Sequence, residues 1–122
     1  MVNSGIHSII IMTVLILSLI ISGCTALGEP DVRIDEIDAQ MAGFSLSGDC
    51  PYLFSVKVHN EGNGLAENVK VGVKIYDANE KLLKTDTIYV GNVNPGEFKT
   101  ASKKITVDVN QFDKYRMYII NQ

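Results

Sequence analysis

The chain has 122 residues, with 11 Lys+Arg against 14 Asp+Glu, two cysteines and no tryptophan. That length sets a ceiling of one domain and leaves no room for a two-domain enzyme or a nucleotide-binding sheet covered by helices on both faces. A net charge of −3 and a pI near 5.2 argue against the concentrated basic surface a nucleic-acid binder needs, so no nucleic-acid partner is expected. The charge is also unevenly spread: no Asp, Glu, Lys or Arg precedes Glu29.

From Ile6 to Ile21 the chain is almost wholly apolar, interrupted by His7, Ser8, Thr13 and Ser18. As a helix these residues span about 24 Å at ~1.5 Å each, short of the roughly 30 Å hydrocarbon core. The length suits the apolar region of a secretory signal better than a stable membrane span. Ile21, Ser22 and Gly23 then close the run in front of Cys24, and Thr25 to Pro30 turns small and polar. This resembles the lipobox of prokaryotic lipoproteins. The small side chains let a peptidase admit extended backbone, and the cysteine sulfur, held at the membrane surface, accepts the diacylglyceryl group. The resemblance implies a signal peptide over residues 1–23, cleavage after Gly23, lipidation at Cys24 and a short tether over 24–30. Two acyl chains on Cys24 are needed for stable anchoring, because one binds only marginally. Met1–Ser8 carries no Lys or Arg, unlike most signal peptides. The competing reading is an uncleaved signal anchor with an incidental cysteine. Cys50 has no intrachain partner if Cys24 is acylated. It is then a tolerated thiol beside Pro51, with an intermolecular disulfide as the alternative; a Cys24–Cys50 bridge is the alternative if the lipobox reading fails.

Period-two alternation dominates residues 31–122. Val32 and Ile34 alternate with Arg33 and Asp35. The acids Asp31, Asp35, Glu36 and Asp38 sit on this strand without the turn glycine of a calcium loop, so they read as a solvated face. Phe44 to Cys50 reads as a loop. Tyr52, Phe54, Val56 and Val58 then face one side and Ser55, Lys57 and His59 the other, as in a half-buried strand. Asn60-Glu61-Gly62-Asn63-Gly64 turns the chain. Val69, Val71, Val73 and Ile75 form the cleanest strand. A turn at 77–80 leads into a strand over 81–90. Pro95-Gly96 suits the centre of a type II turn. In Phe98–Val109 the phase changes, which predicts a bulge near Ser102–Lys104. Residues 110–114 read as a polar break before a last strand over 115–120. No sustained 3.6-residue period occurs. Six or seven strands at this spacing predict an all-β, two-sheet sandwich.

The run Val56–Gly62, then Ala66–Val71, then Val73–Asp77, then Gly91–Glu97 is similar to the FxLYD domain and to related CARDB-type immunoglobulin-like modules of prokaryotic surface proteins. The resemblance covers residues 52–107. It implies an immunoglobulin-like β-sandwich of about seven strands over 31–122, on exported and often lipid-anchored proteins, with no shared catalytic residues. The motif positions here are Asn60, Gly62, Asn68, Tyr76, Asp77, Pro95 and Gly96. Each has a structural reason: Asn60 and Gly62 to turn the chain, Asn68 to cap the loop before Val69, Tyr76 and Asp77 to end a strand. Val73 and Ile75 replace the Phe and Leu of the naming motif. Glu80 stands where such hairpins commonly have Gly, which points to Asn79 as the left-handed residue.

Catalytic and cofactor chemistry finds no support. His59 is the one histidine after residue 24 and reads as a solvated strand residue, so no hydrolytic triad can be assembled. No phosphate-binding glycine loop, C-x-x-C pair or N-glycosylation sequon occurs. Lys99, Lys103 and Lys104 read as lysines that discourage edge pairing. No catalytic residues, no metal and no cofactor are expected. The expected role is a non-catalytic binding, adhesion or assembly module, anchored at the extracytoplasmic face of the cell membrane through the lipid on Cys24. Its partner would be a surface or envelope protein or polymer. The alternative is a solute-binding or sensory accessory domain held by an uncleaved anchor.

Overall fold

A computed structural model describes residues 28–121. Ile21, Ser22, Gly23 and Cys24 lie outside the described residues. The fold is all-β: β1 (Val32–Met41), β2 (Asp49–Asn60), β3 (Ala66–Tyr76), β4 (Leu82–Val93), β5 (Phe98–Asp108) and β6 (Lys114–Asn121). They form two antiparallel three-stranded sheets, ordered β1-β2-β5 and β4-β3-β6. Six strands are present among the described residues, not about seven. The stretch 42–48, between β1 and β2, is rich in Gly and Ser and forms a loop, so it supplies no further strand.

The alternation read from β2 and β3 is what builds the core. Phe54, Val56 and Val58 of one sheet, with Val69, Val71, Val73 and Ile75 of the other, are at most 1% exposed. Valine and isoleucine dominate because branched side chains pack well on a pleated surface. Phe112 falls inside the expected polar break, yet it turns inward. Its ring lies 5.2 Å from Tyr52 and 6.2 Å from Phe54, closing one end of the sandwich with aromatic packing.

The expected bulge in the fifth strand is absent. β5 pairs with β2 in unbroken register from Asp49↔Asp108 to His59↔Phe98. Phe98 simply faces outward, where it stacks on His59 with ring centroids 3.9 Å apart. The phase change occurs instead in β1, at Asp35, where the register with β2 slips. It turns Ile37, Ala39 and Met41 to the inner face after Val32 and Ile34.

Turn chemistry follows the residues closely. Gly96 has φ 77° and the Glu97 amide donates to Asn94 O at 3.0 Å, so Asn94–Glu97 is the expected type II turn. In the β3–β4 turn the left-handed residue is Glu80, at φ 65°, not Asn79. Asp77 explains why a non-glycine is tolerated there. Its carboxylate accepts from the amides of Asn79 (2.9 Å) and Lys81 (2.8 Å), holding the turn from inside. Tyr76 O accepts from the Asp113 amide, and the Tyr76 ring carries the Arg116 guanidinium on its face. Asn68 does not cap a loop. It lies within β3 at a register slip, at φ 52°, and its amide donates to Asn92 Oδ1.

Asn60 is the buried polar residue of the core, 0% exposed. Its Oδ1 accepts from the amides of Asp31 (3.1 Å) and Gly62 (3.1 Å), and its Nδ2 donates to Gly64 O (2.8 Å) and Val93 O (3.0 Å). Gly62 must be glycine because a Cβ there would run into the backbone of Glu29, Pro30 and Asp31. Replacing Asn60 by Ala removes the side-chain partner of four backbone groups, one buried and three part-buried. The expected loss is about 3 kcal/mol, read as a fall of roughly 2 M in the urea midpoint for a domain of this size. A shift under one fifth of that would show that the amide is not what holds this end together.

Candidate functional site

The two ends of the sandwich differ. At one end sit the start of β1, the β2–β3 loop and the β4–β5 turn. There the incoming chain is fastened down: the Glu29 amide donates to Asn63 Oδ1 (3.1 Å), Glu29 O accepts from the amides of Asn63 and Gly64 (3.2 Å each), and Asp31 O accepts from the Glu61 amide (2.8 Å). Glu29, Asp31, Glu61 and Glu97 make this end acidic, with Arg33 bridging Glu61 at 3.0 Å and Asp31 at 3.3 Å. At the opposite end the β1–β2 loop presents Phe44 and Leu46, 82% and 95% exposed. Cys50 sits at the base of that loop, buried, its Sγ donating to Gly43 O at 2.9 Å. A thiol so covered is poorly placed for an intermolecular disulfide.

The motif residues are thus brought together in part. Asn60, Gly62, Pro95 and Gly96 meet at the acidic end, where the Gly96 amide donates to Asn60 O and the Asn60 amide to Glu97 O. Tyr76 and Asp77 lie at the opposite end, and Asn68 is on neither cluster.

The sheet faces carry different chemistry. On the outer face of β1-β2-β5, cations meet carboxylates or a ring: Lys57 lies 3.6 Å from Asp35 and also over Phe98. His59, partly buried, has Nδ1 3.7 Å from Glu61. On the outer face of β4-β3-β6, cations lie over phenol rings instead. Lys70 stands over Tyr89 (5.5 Å), Lys74 over Tyr118 (5.2 Å) and Arg116 over Tyr76 (5.5 Å). Tyr118 covers Gly72, where a Cβ would strike its ring. The Gly inside Val71-Gly72-Val73 is the sequence signal for this close approach, since a glycine within a strand marks it.

Lysines also tie the sheets together along the β4–β5 side. Lys103 Nζ lies 2.6 Å from Asp86 and 3.3 Å from Thr87 O, Lys99 Nζ donates to Asn92 O (2.9 Å), and Lys84 Nζ donates to Thr106 O (3.1 Å). Lys99 and Lys103 thus reach backbone carbonyls of β4, whereas Lys104 is exposed on the outer face of β5. Two depressions mark the surface of the described residues on the β1–β2 face and the β4–β5 side. One, of about 110 Å³, lies over Glu36, Asp38, Ser55, Lys57 and Thr100. The other, of about 160 Å³, opens between β4 and β5 near Lys84, Thr106 and Asp108. Among the described residues no group of three or more His, Cys, Asp or Glu could hold a metal ion.

Comparison with known protein families, with curated proteins and with solved structures gives no match, so the functional reading rests on the residues of this chain alone.

Partial burial raises the pKa of Asp86, but the Lys103 hydrogen bond, the Thr87 amide and the charges of Lys103 and Lys84 outweigh it and hold the carboxyl below its ordinary 3.8. A lowered pKa in the fold means that the pair stabilises above the unfolded value and that this contribution is lost as pH falls through the folded value. Asp86→Asn should cost about 0.5–1 kcal/mol at neutral pH. Urea unfolding near pH 7 and again below about pH 3 should show that gap close; a gap unchanged at low pH contradicts the assignment.

Proposed function

We propose that this chain is an extracytoplasmic lipoprotein whose leader, residues 1–23, is removed and whose Cys24 carries the lipid. In this reading the folded part is an immunoglobulin-like module of the FxLYD/CARDB kind. It acts without catalysis, holding a surface or envelope protein or polymer close to the membrane.

The observation that carries the reading is how the chain enters the fold. Glu29 and Asp31 are hydrogen-bonded to the β2–β3 loop, so the slack of the tether does not extend to Pro30. Between Cys24 and Gly28 stand only Thr25, Ala26 and Leu27, a reach of roughly 14 Å when fully extended. A domain so held stays at the lipid surface. Its near end carries Glu29, Asp31, Glu61 and Glu97, which anionic headgroups repel. The sandwich then stands on the membrane with its sheet faces, its edges and the Phe44–Leu46 loop open to other envelope components. Enclosure of a solute has less support. A core filled by Phe54, Ile75, Ile88 and Ile105 and a depression of about 160 Å³ compare poorly with the ~300–1,000 Å³ of ligand pockets.

Intact-protein mass spectrometry of the membrane fraction tests this. The wild-type protein should begin at Cys24 with a diacylglyceryl mass, and Cys24→Ser should be unprocessed or released from the membrane. A membrane-bound protein that keeps Met1 and carries no lipid refutes it.

A further inference from the structure

A sandwich of two open sheets has four edge strands, and an exposed edge is a template for pairing with another chain unless something blunts it. Three of the four are blunted here. β1 carries the register slip at Asp35 and the charges of Asp35, Glu36 and Asp38. β4 and β5 cover each other, through Lys99 and Lys103 on β4 carbonyls and Lys84 on a β5 carbonyl.

β6 has fewer of these devices: its register slips only at its far end, between Ile119 and Asn121, and its charges are Lys114, bridged to Glu80, and Arg116. Among the described residues it is paired on one side only, to β3, and its sequence, Lys-Tyr-Arg-Met-Tyr-Ile-Ile-Asn, has no proline and no acid. Its register with β3 is regular from Val71↔Ile119 to Tyr76↔Lys114. Its inner row, Tyr115, Met117 and Ile119, packs on the core yet stays half-buried. Across the seam on β1, Ile37 and Met41 face inward by register, opposite Val56 and Tyr52, and are still 45% and 57% exposed. The sandwich is therefore short of cover along one line, the line that one more strand beside β6 would occupy.

We infer that the free edge of β6 is a binding site for an extended segment of a partner protein, which adds to the β4-β3-β6 sheet as a fourth strand. Main-chain hydrogen bonds to β6 supply the attachment, and alternate side chains supply the selection. The inner row of the added strand must be aliphatic, because it closes over Met117, Ile119, Ile37 and Met41. The outer row must be acidic. It lies beside Arg116, with Lys74 and Lys70 one strand further in. These three cations rest on tyrosine rings and, among the described residues, have no carboxylate within ion-pairing distance, whereas Lys114 is already bridged to Glu80. Directly opposed charges of opposite sign stabilise a strand pair, and like charges destabilise it. A second copy of this chain fits less well, and here the choice of partner rests on the membrane-anchored reading above. Antiparallel pairing of β6 with itself points the two Glu29–Asp31 ends in opposite directions, which a shared membrane forbids.

The test uses the full chain in detergent and a fluorescent eight-residue peptide alternating Val and Glu. Its controls are the Val/Lys counterpart and a Val/Glu peptide N-methylated at alternate amides. The Val/Glu peptide should bind saturably, and both controls should bind at least about tenfold more weakly. Arg116→Glu, an exposed change that leaves the core intact, should shift the preference toward the Val/Lys peptide. No saturable binding at millimolar peptide, or equal binding of the N-methylated peptide, overturns the inference. So does sedimentation showing a dimer that Arg116→Glu dissolves, because the edge then takes a second copy. None of these outcomes bears on the lipid at Cys24, which mass spectrometry reads separately.

Discussion

One side-chain amide sets the geometry of this protein. Asn60 ends β2, and its four hydrogen bonds reach the start of β1, both ends of the β2–β3 loop and the last residue of β4. The bond to Val93 crosses from one sheet to the other. Burying an amide is costly unless its groups are paired, and here both donors and the acceptor oxygen are used. Apolar contact between the two sheets is non-directional. The bonding of the amide is directional. It admits one arrangement of four chain segments, and the backbone of the same residue adds the β4–β5 turn through Gly96 and Glu97.

The consequence runs outward to both ends. Because Asn60 holds the Asp31 amide and Gly62 leaves room for the backbone before it, the incoming chain is part of the fold from Glu29 onward. In the anchored reading, this converts a flexible leash into a short fixed stalk. It also separates the roles of the surfaces. In that same reading the acidic end faces the lipid, and by our inference β6 is the edge that takes a partner, the other three being blunted by charge or by lysine contacts. Lys70, Lys74 and Arg116 sit on aromatic rings beside it and form no close ion pair among the described residues, although the Arg116 charge is felt at Glu80.

Much of this was legible in the residues, for definite reasons. β2 and β3 alternate strictly because one face of each meets the core and the other meets water, and a slip of one residue would reverse every side chain. Pro95-Gly96 read correctly because backbone restriction at one position and freedom at the next define the turn by themselves. Three features did not read. Phe98 broke the alternation of β5 because its partner, His59, is on the neighbouring strand, and an outward aromatic stacked there looks in sequence like a change of phase. The true slip in β1 was hidden because carboxylates surround it. Phe112 sat among polar residues, and only the folded chain shows that it plugs the end of the core. At the candidate surfaces the gap is wider. Cation-on-ring pairs such as Lys74 with Tyr118 join residues 44 positions apart, and an unguarded edge is defined by what its neighbours lack. The motif residues Asn60 and Gly62 were legible as turn makers, but the role of Asn60 as a link between sheets was not, because Asp31 and Val93 are both about 30 residues away.

Native-state hydrogen exchange tests the role of Asn60 most directly. If its amide is the clamp, the amides of Asp31 and Gly62, which are bonded to its side chain, should exchange only through the opening that also exposes the Asn60 and Gly96 amides. The free energy of that opening should approach that of global unfolding. Exchange of Asp31 and Gly62 at the rate of a frayed terminus, with Asn60 and Gly96 still protected, would contradict that role. It would mean that the entering chain is not held and that the stalk is a leash after all.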